Sequence, residues 1–166
     1  ICHLTNLEIF DLRDNAMGCH DYTWMTPNGS YQFDNCNETC EESGECSATI
    51  PPEIGYLTNL EALWLMDNHL SGEIPSSIGN LVNLRSLGLR ENDITGSIPS
   101  EIGNLTLLHV LSLWINQLTG SIPSTIGNMT NLGVWDGNWY NPLMGGPNGM
   151  GMDIFYALNL SRNSLS

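Results

Sequence analysis

Lysine is absent from this chain, and basic residues of any kind are scarce. Four arginines face 18 acidic residues, and the formal net charge is −14. Such a charge opposes binding to nucleic acid phosphates and to anionic lipid headgroups, because both would be repelled. Without a lysine amine, the chain can form neither a Walker A phosphate loop nor a Schiff base. The composition therefore predicts no nucleic-acid partner, and it favours solubility and cationic partners.

Long hydrophobic runs are also missing. No apolar stretch approaches the roughly 20 residues that span a bilayer, although 41% of the residues are hydrophobic. The opening residues, ICHLTNLEIF, lack the basic region that begins a signal peptide. We therefore expect no membrane span and no signal peptide in this chain. Two explanations are open for the second absence, namely cleavage of a leader or a start inside a longer protein.

Residues for catalysis or metal binding do not form a recognisable group. The four histidines are scattered, and we expect His69 and His109 at surface positions. Five acidic residues between positions 34 and 45 lack the regular spacing of an EF-hand loop, so calcium binding has no motif behind it. Four residues could in principle bind zinc: His20, Cys36, Cys40 and Cys46. We predict that the protein is not an enzyme and that it has no cofactor, N-linked glycans aside.

What the chain does contain is a phrase written three times in a row. The copies read LTNLEALWLMDNHLSGEIPSSIGN, LVNLRSLGLRENDITGSIPSEIGN and LTLLHVLSLWINQLTGSIPSTIGN. They begin at Leu57, Leu81 and Leu105, so the period is 24 residues. A fixed period of this length indicates a stack of small units rather than one globular core. It also moves the search for function from a pocket to an extended surface.

Each copy has the leucine spacing of a short strand followed by a turn. The L-x-L step has period two, so Leu63 and Leu65 point to the same side, as do their counterparts in the other copies. Stacking the copies would place these strands in a parallel sheet with a spacing of about 4.8 Å and bury the leucines. We expect the asparagine after each strand to bond the backbone of neighbouring coils as a ladder. These asparagines are Asn15, Asn68, Asn92, Asn116 and Asn163.

The phrase LxxLxxLxLxxNxLxGxIPxxIGxLxx resembles the plant-type leucine-rich repeat, a 24-residue extracellular repeat family. The resemblance covers the three central copies almost letter for letter. It implies a leucine-rich-repeat solenoid of the α/β repeat class, which is a right-handed curved coil. It further implies a parallel β-sheet on the concave side, a mostly 3-10 or irregular convex side, ligand or protein binding on the sheet, and no catalysis.

Two segments interrupt the single solenoid of about six units that we expect over residues 1–166. Residues 18–46 form an acidic insertion, and removing them restores a first unit of 24 residues. Residues 141–152 form a degenerate Gly/Met/Pro-rich segment, in a fourth unit where Gly137 replaces a strand leucine and Tyr140 replaces the asparagine. The insertion contains four cysteines that we expect to form disulfides, with three pairings open. They are Cys19, Cys36, Cys40 and Cys46.

Sequons and cysteines together indicate the compartment. Two sequons recur one period apart, at Asn104 and Asn128, and two others lie in the cysteine-rich insertion. Clustered cysteines and N-x-S/T sequons are typical of proteins that pass through an oxidising, glycosylating pathway. We therefore predict a secreted or cell-surface glycoprotein. The predicted N-glycosylation sites are Asn28, Asn37, Asn104, Asn128 and Asn159.

Tryptophans between the paired leucines mark the candidate binding surface. Aligning the copies places them on the side of the strands that faces away from the core, where tryptophan acts as a hot spot and stacks on sugars. The alternative is that one or two of them pack laterally against neighbouring strands or contact the chain's own glycans. The predicted site for a protein or carbohydrate partner comprises Trp64, Met66, Asp67, Arg90, Glu91, Trp114, Asp136 and Trp139.

Three functions agree with these observations. The leading one is a non-enzymatic extracellular module that recognises a protein or glycan on its concave face. Because neither end shows a polar cap, the second is a glycosylated structural subunit of an extracellular filament or surface layer, a homo-oligomer built by head-to-tail stacking. The third, inhibition of a secreted enzyme, rests on the family resemblance alone.

Overall fold

The computed structural model describes residues 6–13, 23–26, 29–32, 49–133 and 158–166. Within these ranges the chain winds into stacked coils, each with a short strand on one side and a return segment on the other. The strands are β1 (Ile9–Asp11), β2 (Thr23–Thr26), β3 (Gly29–Gln32), β4 (Ala62–Trp64), β5 (Ser86–Gly88), β6 (Val110–Ser112), β7 (Thr119–Gly120), β8 (Leu158–Asn159) and β9 (Ser164–Leu165).

The main sheet is parallel and runs in the order β1, β4, β5, β6 and β8. Leu63 pairs with Leu87, and Leu87 pairs with Leu111, so the register reproduces the period of the sequence. All three leucines are buried in one continuous core that runs through the stack. No single coil could bury these side chains alone, which is why the units need one another to fold.

Short 3-10 helices form the return side, as predicted. Each follows a proline whose φ lies between −71° and −60°, because the pyrrolidine ring fixes that angle and the missing N–H costs nothing at a helix start. The helices are η1 (Pro52–Tyr56), η2 (Ser76–Asn80), η3 (Ser100–Asn104) and η4 (Ser124–Asn128).

Buried asparagines link the coils in the expected ladder. Asn92 Nδ2 donates to the carbonyl of Leu65 in the preceding coil at 2.9 Å, and Asn92 Oδ1 accepts from Leu70 N–H at 2.9 Å. Asn116 repeats the pattern one coil later by donating to Leu89 O at 2.9 Å. Each amide thus satisfies backbone groups that a tight turn would otherwise leave without partners.

The first coil is assembled from two separated pieces of sequence. β1 pairs with β4, and Asn68 Nδ2 donates to Leu12 O at 2.8 Å, so residues 9–13 form its strand side. Thr49 forms a parallel bridge with Ser71, which places residues 49–56 on its return side. Between the two pieces, β2 and β3 form a separate antiparallel hairpin, with β2 beside β1. The four clustered cysteines lie outside the described residues.

The last described coil differs from the sequence-based expectation. Gly133 N–H donates to His109 O at 3.0 Å, and the next register position pairs Leu111 with Leu158, which is 47 positions further along. β8 therefore occupies the place that we assigned to a strand through Gly137. The physical reason is that the stretch from Leu158 to Leu165 retains the L-x-L and asparagine pattern that the fourth unit has lost. Residues 134–157 lie outside the described part of the chain.

Candidate functional site

The concave surface is the side of the main sheet that faces away from the leucine core. Side chains alternate along a strand, so the residues between and just after the paired leucines lie on this surface. The residue directly before each buried asparagine has a left-handed backbone, with φ of 57° at Asp67 and 54° at Glu91. This conformation turns the chain off the strand at the same point in successive coils. The carboxylates of Asp67 and Glu91 therefore meet beside the sheet.

Trp64 and Met66 are not exposed, in contrast to the expectation for a binding hot spot. Their relative exposures are 3% and 1%. The Trp64 indole N–H donates to Ser86 Oγ at 2.9 Å, and the Met66 sulfur occupies the space where a side chain at Gly88 would lie. The missing side chain of Gly88 explains this, because it leaves a gap that the long thioether of the preceding coil fills. Lateral packing, the alternative interpretation, thus describes Trp64.

Two arginines lie over tryptophan rings of the next coil. The guanidinium carbon of Arg13 is 5.0 Å from the centroid of the Trp64 ring, and that of Arg90 is 5.5 Å from the Trp114 ring. Both distances fall within the range of a cation–π interaction. Trp114 is partly exposed, so one face of this pair remains available on the concave surface.

Carboxylates hold both guanidiniums in place. Arg13 donates to Asp11 through Nε at 2.8 Å and through Nη2 at 2.6 Å, a two-bond arrangement. Arg90 donates through Nη2 to Asp67 at 2.7 Å and through Nη1 to Glu91. Three carboxylates therefore surround two guanidiniums, and the arginine rotamers are fixed before any partner arrives.

Asp67 is the one carboxyl of this group whose pKa is displaced. Burial raises the pKa of Asp67 above its ordinary value of 3.8, and the hydrogen bond with the Glu91 side chain raises it further. The positive charges of Arg90 and Arg13 act in the opposite direction without cancelling these effects. A proton shared between the two carboxyls keeps them together beside Arg90.

Replacing Asp67 with asparagine should remove part of the pH dependence of stability. Because the pKa is raised in the folded state, the stability that this group contributes is present at low pH and is lost as pH rises above 3.8 through the folded pKa. Asparagine cannot ionise, can still bond Arg90 and Glu91, and tolerates the left-handed backbone. The advantage of Asp67→Asn over the parent should therefore grow as pH rises, in urea unfolding curves recorded across the acidic range.

Asp93→Asn serves as the matched control for that experiment. Asp93 is an exposed carboxylate that accepts a hydrogen bond from Gln117 Nε2 at 3.1 Å, so its replacement removes one negative charge from the same acidic chain. Parallel pH profiles for the parent and Asp67→Asn would contradict the assignment of a raised pKa to Asp67.

The remaining predicted site residues have mixed outcomes. Asp67, Arg90, Glu91 and Trp114 lie together, whereas Asp136 and Trp139 are outside the described residues. Among the sequons, Asn104 and Asn128 are exposed at the last residues of η3 and η4. Asn28 and Asn37 are outside the described residues, and only the backbone of Asn159 is described, in β8.

Three further features depend on the described part of the chain. His109 is buried rather than on the surface, because its backbone lies between Arg85 and Gly133 in the sheet register. Within the described ranges, no cluster of three or more His, Cys, Asp or Glu side chains could hold a metal ion. No described helix has the length and apolar character needed to cross a bilayer.

Asp11, Arg13 and Ser86 belong to the site but were absent from the sequence-based prediction. Arg13 occupies the same position in its unit as Arg90, so an available signal was the recurrence of arginine near a tryptophan of the following copy. Ser86 gave no signal, because its role is to accept the indole hydrogen bond of a residue in another coil.

The geometry defines a class of protein, a parallel-sheet solenoid whose coils are joined by asparagine ladders. The family model described as a leucine-rich repeat region matches residues 42–134. This range is more than half of the chain, and the chain therefore belongs to the leucine-rich-repeat family, in its plant-type form. No curated protein matches the chain.

Among solved structures, the crystal structure of PEPR1 with AtPEP1 is similar, at 48% identity and a TM-score of 0.50. The match covers 51% of this chain and 12% of that chain. The leucine-rich-repeat ectodomain of the membrane receptor kinase GASSHO1/SCHENGEN3 from Arabidopsis thaliana, in complex with CASPARIAN STRIP INTEGRITY FACTOR 2, is 43% identical with a TM-score of 0.50. That match covers 51% of this chain and 10% of the ectodomain, so the similarity spans about a tenth of each relative.

Proposed function

We propose that this chain is a non-enzymatic recognition module that binds a polypeptide segment along its concave surface. The observation that carries the proposal is the arrangement of Arg90 between Asp67, Glu91 and the Trp114 ring, which joins side chains of three adjacent coils. Such an arrangement offers an aromatic face and charges of both signs on a rigid sheet.

Preorganisation is the physical reason why this surface suits binding. Long side chains normally lose rotamer freedom when a partner immobilises them, and that loss weakens affinity. Here the hydrogen bonds to carboxylates already hold Arg13 and Arg90, so the additional entropic cost is small. Tryptophan and arginine are also the residue types that most often dominate interface energies. Because carboxylates outnumber guanidiniums in the group, a segment with a basic residue beside an apolar one fits its charge.

The comparisons support a polypeptide rather than a carbohydrate partner. Both similar structures described above are named as complexes, one with AtPEP1 and one with CASPARIAN STRIP INTEGRITY FACTOR 2. Placement outside the cell or at its surface is part of the same proposal, since one relative is a membrane receptor ectodomain. The exposure of Asn104 and Asn128 is compatible with their glycosylation in such a location.

Selection from a random dodecapeptide display library on the immobilised chain tests the proposal. Enriched peptides should bind the parent and Tyr56→Ala equally, because Tyr56 is exposed on the return side, away from the sheet. They should bind Trp114→Ala about tenfold more weakly or worse, as expected for loss of a hot-spot side chain. Unfolding curves of each variant separate this effect from loss of structure. Peptides that bind Trp114→Ala as well as the parent would refute the concave site.

A further inference from the structure

The return side of the stack has an open edge at η4. In the interior, each return segment is covered by the next one, so Ile98 is 3% exposed and Ile102 is fully buried. Their counterparts one coil later are different, because Ile122 is 48% exposed and Ile126 is only partly buried. We call the side of residues 120–132 that faces away from η3 the trailing edge.

Glycines in the 3-10 helices report the same difference independently. A side-chain carbon at Gly79 would lie 2.5 Å from the Glu101 carbonyl oxygen, and one at Gly103 would lie 2.5 Å from the Thr125 oxygen. Consecutive return segments therefore approach so closely that only glycine fits between them. At Gly127, the equivalent position of η4, nothing in the described structure lies within 4 Å of such a carbon.

The interior contacts specify what would fit the trailing edge. Thr125 Oγ1 donates to Ser100 O at 2.7 Å, and Asn131 Nδ2 donates to Thr106 O at 2.7 Å. Ser77 and Asn83 make the same two bonds two coils earlier, to Pro52 O and Thr58 O. One period later, the corresponding acceptors are the carbonyls of Ser124 and Thr130. A segment with a hydroxyl and an asparagine six residues apart would match them.

Charge distinguishes this edge from the rest of the molecule. Residues 120–133 contain no charged side chain, although the whole chain has a formal net charge of −14. Association through this edge therefore brings no local carboxylates together, and its chemistry is apolar with backbone acceptors. A charged partner would gain nothing here, whereas an uncharged repeat segment would bury Ile122 and Ile126.

We propose that the trailing edge binds the return segment of another leucine-rich-repeat protein, which stacks on η4 as η4 stacks on η3. A second copy of this chain is a poor occupant. Its first return segment already buries Ile50 and Ile54, which are 4% and 1% exposed. Glu53 also stands where Ser77 and Thr125 supply the hydroxyl, and a carboxylate cannot donate that bond. The same two observations argue against head-to-tail filaments.

The probe for this proposal is a fluorescent peptide with the sequence of residues 119–132, TGSIPSTIGNMTNL, which contains both the hydroxyl and the asparagine donors. Fluorescence anisotropy should show saturable binding to the parent chain. Binding to Gly127→Val should be about tenfold weaker or worse, because the new side chain occupies the space that the peptide backbone needs. Thermal unfolding of Gly127→Val should match that of the parent, since the site is open.

Two controls keep the outcome interpretable. Trp114→Ala should bind the peptide as the parent does, which separates this edge from the concave surface. A peptide with glutamate at the position of Thr125 and leucine at that of Asn131 should bind about tenfold more weakly or worse, because both hydrogen bonds are lost. Equal binding of the first peptide to the parent and Gly127→Val, or no binding to the folded parent, would overturn the proposal. Concentration-dependent dimers that Gly127→Val abolishes would replace the partner with a second copy.

Discussion

Gly103→Ala should unfold well before Gly127→Ala, although both substitutions add one methyl group at the same position of the repeat. A carbon at Gly103 would meet the Thr125 oxygen and its Cβ at 2.5 Å, and neither atom can move without displacing η4. Overpacking of this kind costs about 1–3 kcal/mol, which for a chain of this size lowers the melting temperature by about 2–4 °C per kcal/mol. Gly127→Ala should raise stability by up to about 1 kcal/mol, because alanine restricts the unfolded chain.

Circular dichroism melts of the two variants beside the parent would measure this difference. Gly79→Ala offers a second interior position, since its new carbon would lie 2.5 Å from the Glu101 oxygen. If Gly103→Ala and Gly127→Ala melted together, the stack would tolerate extra volume between its return segments. The close packing described for η2, η3 and η4 would then be incorrect, and the trailing edge could not be called open by comparison.

The periodic part of this fold could be predicted from sequence because each unit repeats the same solution. Leucines at period two determine the strand register, and Leu63, Leu87 and Leu111 align as expected. The asparagine ladder follows for the same reason, since one residue type recurs where backbone groups need a partner. Proline before each 3-10 helix likewise has a local cause in its fixed φ.

The exceptions could not be predicted, because each depends on a comparison between distant residues. Trp64 is buried because Gly88 and Ser86 lie on the next strand, so its exposure is a property of two coils. β8 joins β6 because the pattern after Leu158 is a better strand than the one through Gly137, a competition that a linear alignment does not express. The pairing of Arg90 with Trp114 also crosses coils, and the arginine itself was among the predicted site residues.

Asn92→Ala should be among the most destabilising single substitutions in the described part of the chain. The amide oxygen of Asn92 accepts from Leu70 N–H at 2.9 Å, and its nitrogen donates to Leu65, Leu89 and Arg90 carbonyls at 2.9–3.1 Å. Leu65 O and Leu89 O keep a second donor from neighbouring asparagines. The main losses are therefore the acceptor for Leu70 N–H and the buried volume, together about 2–4 kcal/mol.

Asn83→Ala is the matched control, because Asn83 is exposed and makes a single bond to Thr58 O at 2.9 Å. Its loss should cost less than about 1 kcal/mol in urea unfolding experiments. Asn92→Asp keeps the acceptor for Leu70 but points a buried carboxylate at three carbonyl oxygens, so it should be worse than alanine at neutral pH and recover in acid, where the carboxyl can donate. Equal midpoints for Asn92→Ala and Asn83→Ala would show that the ladder contributes little.

The slope of the Asn92→Ala transition carries a further consequence. Asn92 bonds the coil that contains Leu65 and Leu70 to its own coil, so its removal weakens one interface of a structure stabilised by nearest neighbours. If that interface then fails before the rest, the urea dependence of the main transition should fall, because less surface becomes exposed in one step. Exposed Asn83 makes only one such bond, and its replacement should leave the slope unchanged. A lowered midpoint with an unchanged slope for Asn92→Ala would mean that the coils still unfold together.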